Sequence, residues 1–509
     1  MHRVLKVLTG RLMIVFPLII LQFAFLVTLL YQFAISMRLV TVLSTVSIAL
    51  SIYVANRNED PAYKLSWIML ILAVPVVGVP LYLIAGNRKV PKKLFNGTMR
   101  ANKEMDGLLQ MDYDLIYEVS TKDSSAADIL RYGTLTGDFP VYRNTVSKYY
   151  RSGEEWFEEY KRALSQAKHF IFMEYFILDT GSCWDEVLQI LEEKVSQGVE
   201  VKLIYDDFGS ITLPSDYDRI LRKKGIEAYR FNHIRPAFIV QMNNRDHRKL
   251  TVIDNNIAFT GGVNLADEYM NRIVRFGYWK DSVVRLEGEA VWSFTVMFLG
   301  MLSYCRPASI DMPDYRYYRL PCAKVNDNGC YQPFSDTPTD RENTVLSMQL
   351  NLINHAHQYI YIDTPYLIPT ESVMQALMRA SKNGVDVRIL TPAIPDKKTV
   401  FQITRGNYRR LLQTGVKIYE YTPGFNHAKN FVMDDKMAIV GSANMDYRTY
   451  FLHLENGVLM YDTPEIVRIR EDFENSIAKS KEITLEEDAK TNIVVRLVRM
   501  ILNLFIPLV

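Results

Sequence analysis

Two histidines in this chain are followed at one shared spacing by residues suited to phosphoryl transfer. The pattern His-x-Lys-x4-Asp, then Gly-[Gly/Ser]-x-Asn, occurs twice. His247, Lys249, Asp254, Gly261, Gly262 and Asn264 form the first copy; His427, Lys429, Asp434, Gly441, Ser442 and Asn444 form the second. In both, the first Gly lies 14 positions after the His, so the copies share a register. One bare match in a chain this long is expected by chance at roughly a few per cent. Two in register are far rarer.

A phosphodiester resists attack because its anionic oxygens repel nucleophiles. A neutral imidazole can attack the phosphorus while Lys249, Lys429, Asn264 and Asn444 hold the non-bridging oxygens. A second, protonated imidazole gives its proton to the leaving alkoxide and later takes one from the incoming alcohol. Two half-sites therefore predict one shared site. The hydroxyl of Ser442 is a further candidate phosphate donor, which Gly262 lacks. Asp281 in GYWKDSVVRLEG and Glu455 in HLENGVLMY are the carboxylates expected to fix the histidine tautomers, each on the strand beside its motif hairpin. Asp254 and Asp434 complete the catalytic motifs, but they fall in turns and read more as anchors than as proton carriers. The scheme asks for no metal and no cofactor.

These residues need a scaffold that repeats. HFIFMEYFIL (169–178) and SQGVEVKLIYD (196–206) precede the first copy; QYIYIDTPYLI (358–368) and KNGVDVRILTP (382–392) precede the second. Strand, helix, turn and strand in that order imply a right-handed crossover and an α/β fold with a mixed, largely parallel sheet in each half. KLTVIDNNIAFTGG and KNFVMDDKMAIVGS read as hairpins with polar turns, which puts each His and Lys on one face. The expected organisation is 1–93 membrane region, 125–305 first domain, 306–340 linker, 341–485 second domain and 486–509 apolar tail.

The N-terminal region has its own character. Leu12 to Met37, Leu39 to Ala55 and Leu65 to Gly86 carry no charge, and a bilayer takes about 20 apolar helical residues. Two or three transmembrane helices are expected. Arg88, Lys89, Lys92 and Lys93 follow the third run, which favours the cytoplasmic side for the remainder. The tail NIVVRLVRMILNLFIPLV reads either as a packed terminus or as an interfacial helix. Lys397, Lys398, Arg405, Arg409 and Arg410 fit a solvated helix face or a headgroup contact equally well. A net charge of +2 and these apolar runs disfavour nucleic acid as the partner. Four cysteines without close pairing suggest neither a metal site nor a disulfide framework.

The paired motifs resemble the phospholipase D superfamily, and NNRDHRKLTVIDNNIAFTGGVNLADEY (243–269), GYWKD and HAKNFVMDDKMAIVGSANMDYRT (427–449) resemble bacterial cardiolipin synthases. The resemblance implies two phospholipase D-like α-β-α domains in a multi-pass protein of the bacterial cell membrane. It also implies condensation of two phosphatidylglycerols into cardiolipin and glycerol through a phosphatidyl-histidine, with His247 as nucleophile and His427 as acid and base. A lipid hydrolase or transphosphatidylase with water or another alcohol as acceptor is the nearest alternative, and a non-catalytic membrane scaffold a more distant one.

Overall fold

The computed structural model describes residue 28 and residues 37–86, 90–233, 243–307, 314–322, 324–325, 329–340 and 342–506. These fall into two compact units. One holds the described residues up to 86 and from 500 onward; the other holds 90–233 and 243–499.

The smaller unit contains helices Met37–Ala55, Pro61–Ala73 and Pro75–Ala85. Asp60 caps the second, its carboxylate accepting from the N–H groups of Ala62 and Tyr63, and Pro61 occupies the first turn, where no N–H is needed. Trp67, Tyr63, Ile71 and Tyr82 are buried together. The apolar run from Leu65 to Gly86 is not one helix, contrary to the expectation. Pro75 has no N–H to donate and its ring forces Val74 out of the helical region, at φ −136° and ψ 72°. Two helices of 13 and 11 residues result. Among the described residues no helix is long and apolar enough to cross a membrane. Nearly all of Leu12 to Met37, together with Arg88 and Lys89, lies outside the described residues; Lys92 and Lys93 open helix Lys92–Met105.

The larger unit holds two sheets. In the first half the strands are β1 Thr145–Tyr150, β2 Phe170–Tyr175, β3 Glu200–Asp206, β4 Glu227–Phe231, β5 Lys249–Ile253, β6 Ile257–Gly261, β7 Tyr278–Lys280 and β8 Val283–Gly288. They form a seven-stranded sheet in the order β1-β8-β6-β5-β2-β3-β4, with β7 apart. The second half has β9 Cys330–Asp336, β10 Tyr359–Asp363, β11 Asp386–Pro392, β12 Lys417–Tyr421, β13 Gly424–Asn426, β14 Asn430–Met433, β15 Met437–Gly441, β16 Glu455–Tyr461 and β17 Ser480–Ile483. All but β13 form an eight-stranded sheet, β17-β12-β11-β10-β14-β15-β16-β9.

The sheets are mixed, and mainly antiparallel rather than parallel. Only β2–β3, β3–β4, β10–β11 and β11–β12 are parallel within them. Those are the crossover strands; the motif hairpins and the strands after them pair antiparallel. A second correction concerns the linker. Within 306–340, β9 is an edge strand on β16. Helix Ser124–Gly137 contributes Ile129 and Leu130 to the core of the second sheet, although its position in the chain groups it with the first half. Phe294, Phe298 and Leu302 of helix Val291–Cys305 share one buried apolar cluster with Leu250 and Val284 of the first sheet and Val440 and Val458 of the second.

Candidate active site

The hairpin β5–β6 and its counterpart β14–β15 each turn on the motif aspartate. Asp254 and Asn255 have φ of 51° and 52°, and Asp434 and Asp435 have 54° and 55°, a left-handed backbone that Asp and Asn tolerate best among residues other than glycine. The two carboxylates then bind backbone. Asp254 accepts from the N–H groups of Lys168 (2.7 Å), His169 (2.8 Å) and Phe170 (2.8 Å); Asp434 accepts from His357 (2.7 Å), Gln358 (2.9 Å) and Tyr359 (2.7 Å). Both clamp the entry to a central strand, β2 or β10. They lie at the far end of the hairpins from the histidines and act as anchors.

At the other end the halves interlock. The His427 N–H donates to the Lys280 carbonyl at 2.7 Å, and the His247 N–H donates to the Leu454 carbonyl at 2.9 Å. β13 runs parallel to β7, with Asn426 opposite Lys280, and a parallel bridge joins Asp246 to Leu454. Each histidine strand is thus paired with the strand of the other half. The carboxylates follow the same exchange. His427 Nδ1 donates to Asp281 at 2.7 Å, and His247 Nδ1 donates to Glu455 at 3.0 Å. Each carboxylate stands at the start of the strand beside its own hairpin, β8 on β6 and β16 on β15, yet it serves the opposite imidazole. With Nδ1–H held, each Nε2 is left with its lone pair.

Burial sets the electrostatics. His247 and His427 are buried, as are Lys249 and Lys429. Loss of water and the neighbouring Lys429 push His427 down to about 4 against the pull of Asp281. Burial, then Lys249, Lys429 and His427, lower His247 well below its ordinary value. The two imidazoles therefore feel each other and both lysines. Burial also lowers Lys249 to about 7 and Lys429 to about 8. Their ammonium groups donate to the carbonyls of His247 and His427 respectively. The site holds neutral imidazoles among weakened cations, an arrangement that an anion would stabilise.

The remaining predicted groups divide. Asn264 is buried; its Oδ1 accepts from the Ile177 N–H at 2.9 Å and its Nδ2 donates to the Tyr269 hydroxyl at 2.8 Å, which leaves one amide N–H. Asn444 is buried with its Oδ1 unpartnered among the described residues. Ser442 does not face a substrate. It is fully buried, donates to Glu455 at 2.5 Å and accepts from the Asn456 N–H at 3.0 Å. At Gly262, a Cβ would sit 2.0 Å from Asp281 Oδ1. The Gly/Ser difference therefore tunes the two carboxylates and not the phosphate.

Several neighbours escaped the sequence reading. Trp279, Tyr269 and Phe425 pack on His427, with ring centroids 5.2, 5.5 and 5.7 Å away. Phe176 and His453 pack on His247 at 5.0 and 5.4 Å. Trp279 and His453 each stand two residues before a carboxylate, so register alone could have found them. His247, His453 and Glu455 bring three ligating atoms within 4.8 Å of one another.

Two α/β halves that complete one two-histidine site between them define an enzyme of the phospholipase D superfamily. A family model described as the phospholipase D-like domain of cardiolipin synthase matches residues 160–274 and 350–477, and one described as a phospholipase D-nuclease N-terminal region matches 42–87. A Streptococcus mutans protein without a described function is 40% identical over 90% of this chain and 99% of its own. A cardiolipin synthase of Halalkalibacterium halodurans is 32% identical over 88% of this chain and 89% of its own. The chain belongs to the cardiolipin synthase family. Among solved structures, phosphatidylserine synthase of Haemophilus influenzae aligns with a TM-score of 0.56 over 72% of this chain and 94% of that one; at 16% identity it shows the fold alone.

Proposed function

We propose that the protein is a membrane-bound phosphatidyltransferase that joins two phosphatidylglycerols into cardiolipin and free glycerol. The observation that supports this most is the exchange of carboxylates between halves, each Nδ1 being held by the other half's carboxylate, with both histidines and both motif lysines buried. One imidazole attacks the donor phosphorus and the P–O bond to glycerol breaks, giving a phosphatidyl-histidine. The other protonates the departing glycerolate, then takes the proton of the acceptor hydroxyl as that oxygen displaces the first imidazole. Lys249, Lys429, Asn264 and Asn444 hold the non-bridging oxygens, Asp281 and Glu455 orient the rings, and Asp254 and Asp434 support the hairpins. Family membership supports the lipid substrate.

Residues 1–93 serve as the membrane region, with the catalytic unit on the cytoplasmic face. The uncharged runs and the basic cluster after Gly86 support this. The second basic set lends it less support, because Arg405, Arg409 and Arg410 face Glu420, Asp488 and Glu371. Product analysis by mass spectrometry on pure phosphatidylglycerol vesicles tests the reading. Cardiolipin and glycerol are expected. Phosphatidic acid as the main product would establish a hydrolase, and no turnover a scaffold.

A further inference from the structure

The two copies of the motif part company after their asparagines. Eleven positions lead from Asn444 to Glu455, but 17 lead from Asn264 to Asp281. The extra length forms an irregular loop over 271–277, between the short helix Asp267–Met270 and β7. The base of this loop is tied shut. Asn271, at φ 52°, accepts from the Trp279 N–H at 2.7 Å and donates to the Trp279 carbonyl at 3.0 Å. Trp279 packs on His427 with ring centroids 5.2 Å apart, and Phe276 packs on Trp279 and Phe425 at 6.4 and 6.1 Å. The loop therefore grows out of the aromatic wall of the site.

Its tip is turned inside out. Arg272 pairs with Glu186 at 2.7 Å and Arg275 with Glu268 at 2.7 Å, which draws the cations back onto the protein. Between them Ile273 and Val274 are left exposed, Val274 at 78%. Ile394, also exposed, borders the same loop: a Cβ on Gly277 would fall 3.1 Å from its Cδ1. One exposed Val needs no explanation. Apolar residues from two segments, gathered beside an active-site wall and flanked by pinned cations, make a surface suited to a membrane.

The chemistry of a phosphatidyl group says where such a surface must lie. Its acyl chains begin a few bonds from the phosphorus, so the reacting imidazoles must come to the headgroup plane. Apolar side chains next to the wall of His427 can reach below that plane, while Arg275, 59% exposed, stays level with the phosphates. We propose that Ile273, Val274 and Ile394 form a lip that inserts among the acyl chains of the bilayer and seats the His427 side of the site on the membrane. This rests on the phosphatidyltransferase function above.

The full-length enzyme in phosphatidylglycerol vesicles is labelled with bimane at Val274→Cys or, at the far end of the first hairpin, at exposed Lys168→Cys. The parent protein treated alike corrects for its four native cysteines. Lipid carrying a nitroxide on its acyl chain should quench the Val274→Cys label by about twofold or more and spare the Lys168→Cys label, and aqueous iodide should do the reverse. Val274→Asp and Ile394→Asp should each lower cardiolipin formation on vesicles by about tenfold, yet leave it within about twofold on dihexanoyl phosphatidylglycerol presented as monomers. A Val274→Cys label open to iodide and untouched by the nitroxide would overturn the lip. So would a label shielded from both, which would place a second copy of the chain there, or equal losses on the two substrates. Quenching does not require turnover, so a parent enzyme that forms no cardiolipin from either substrate would remove the function reading and leave the lip to be judged by the label.

Discussion

Glu455 accepts a hydrogen bond at 3.0 Å from His247, a residue 208 positions earlier in the chain, and Asp281 does the same for His427 at 2.7 Å. Neither half orients its own imidazole. The catalytic unit is therefore complete only when both hairpins are docked. Removing a carboxylate should show up as a chemical defect in the opposite half's histidine. Glu455→Gln and Asp281→Asn keep the shape of the side chain but allow the wrong tautomer, and each should lower kcat on the order of a hundredfold or more. Steady-state cardiolipin formation, with far-ultraviolet dichroism unchanged, checks this. A loss below threefold would show that the carboxylates are incidental.

The motif aspartates should behave differently. Asp254 and Asp434 each satisfy three backbone N–H groups at a strand entry and do not contact the imidazoles. Replacing one by Ala strands those donors and should destabilise the fold by about 2 kcal/mol or more. The folded fraction should retain turnover within severalfold. Thermal unfolding and activity per folded molecule, measured side by side in detergent, separate this outcome from a direct part in proton transfer.

Much of this was legible in the chain, and the misses share a cause. Identity and spacing located His247, His427, Lys249 and Lys429 because chemistry constrains residue type at a fixed register. Hairpins were readable because Asp254-Asn255 and Asp434-Asp435 interrupt apolar runs with turn residues. The partner of each histidine was not, because period and propensity describe one segment at a time. Which half Glu455 or Asp281 faces is decided by the docking of β7 on β13 and of Leu454 on Asp246. Pro75 was visible, yet uninterrupted hydropathy outweighed it in the reading of Leu65 to Gly86 as one span.

Acidification gives a test of the buried imidazole. His427 takes a proton near 4 in the folded protein, against an ordinary 6.5. As pH falls from 6.5 toward 4 the unfolded chain is protonated first, so the folded state loses stability across that window, by up to about 3 kcal/mol from this residue. Above 6.5 the imidazole is neutral in both states and contributes no such penalty. His427→Asn should therefore lose less stability than the parent protein between pH 6.5 and 4.5. Denaturant midpoints at several pH values measure the difference, and parallel curves would place the His427 pKa near its ordinary value.

The residue after the first motif glycine should prove intolerant in one half and forgiving in the other. Gly262 lies against Asp281, and a Cβ there would fall 2.0 Å from Oδ1. Because Asp281 also accepts from the Ser282 N–H at 2.9 Å, its carboxylate has little freedom to yield. Gly262→Ala should push Asp281 off the His427 ring and lower kcat by about a hundredfold, close to the effect of Asp281→Asn itself. Ser442→Ala removes only one of the donors to Glu455, which keeps Thr449 Oγ1 at 3.1 Å and the His247 ring. Losing one hydrogen bond of that kind is worth about 1–2 kcal/mol, so the expected change is within roughly tenfold. Combining Gly262→Ala with Asp281→Asn should add little to either alone, since both act by releasing the same imidazole. Additive losses in that double variant would mean that Gly262 acts on something other than Asp281.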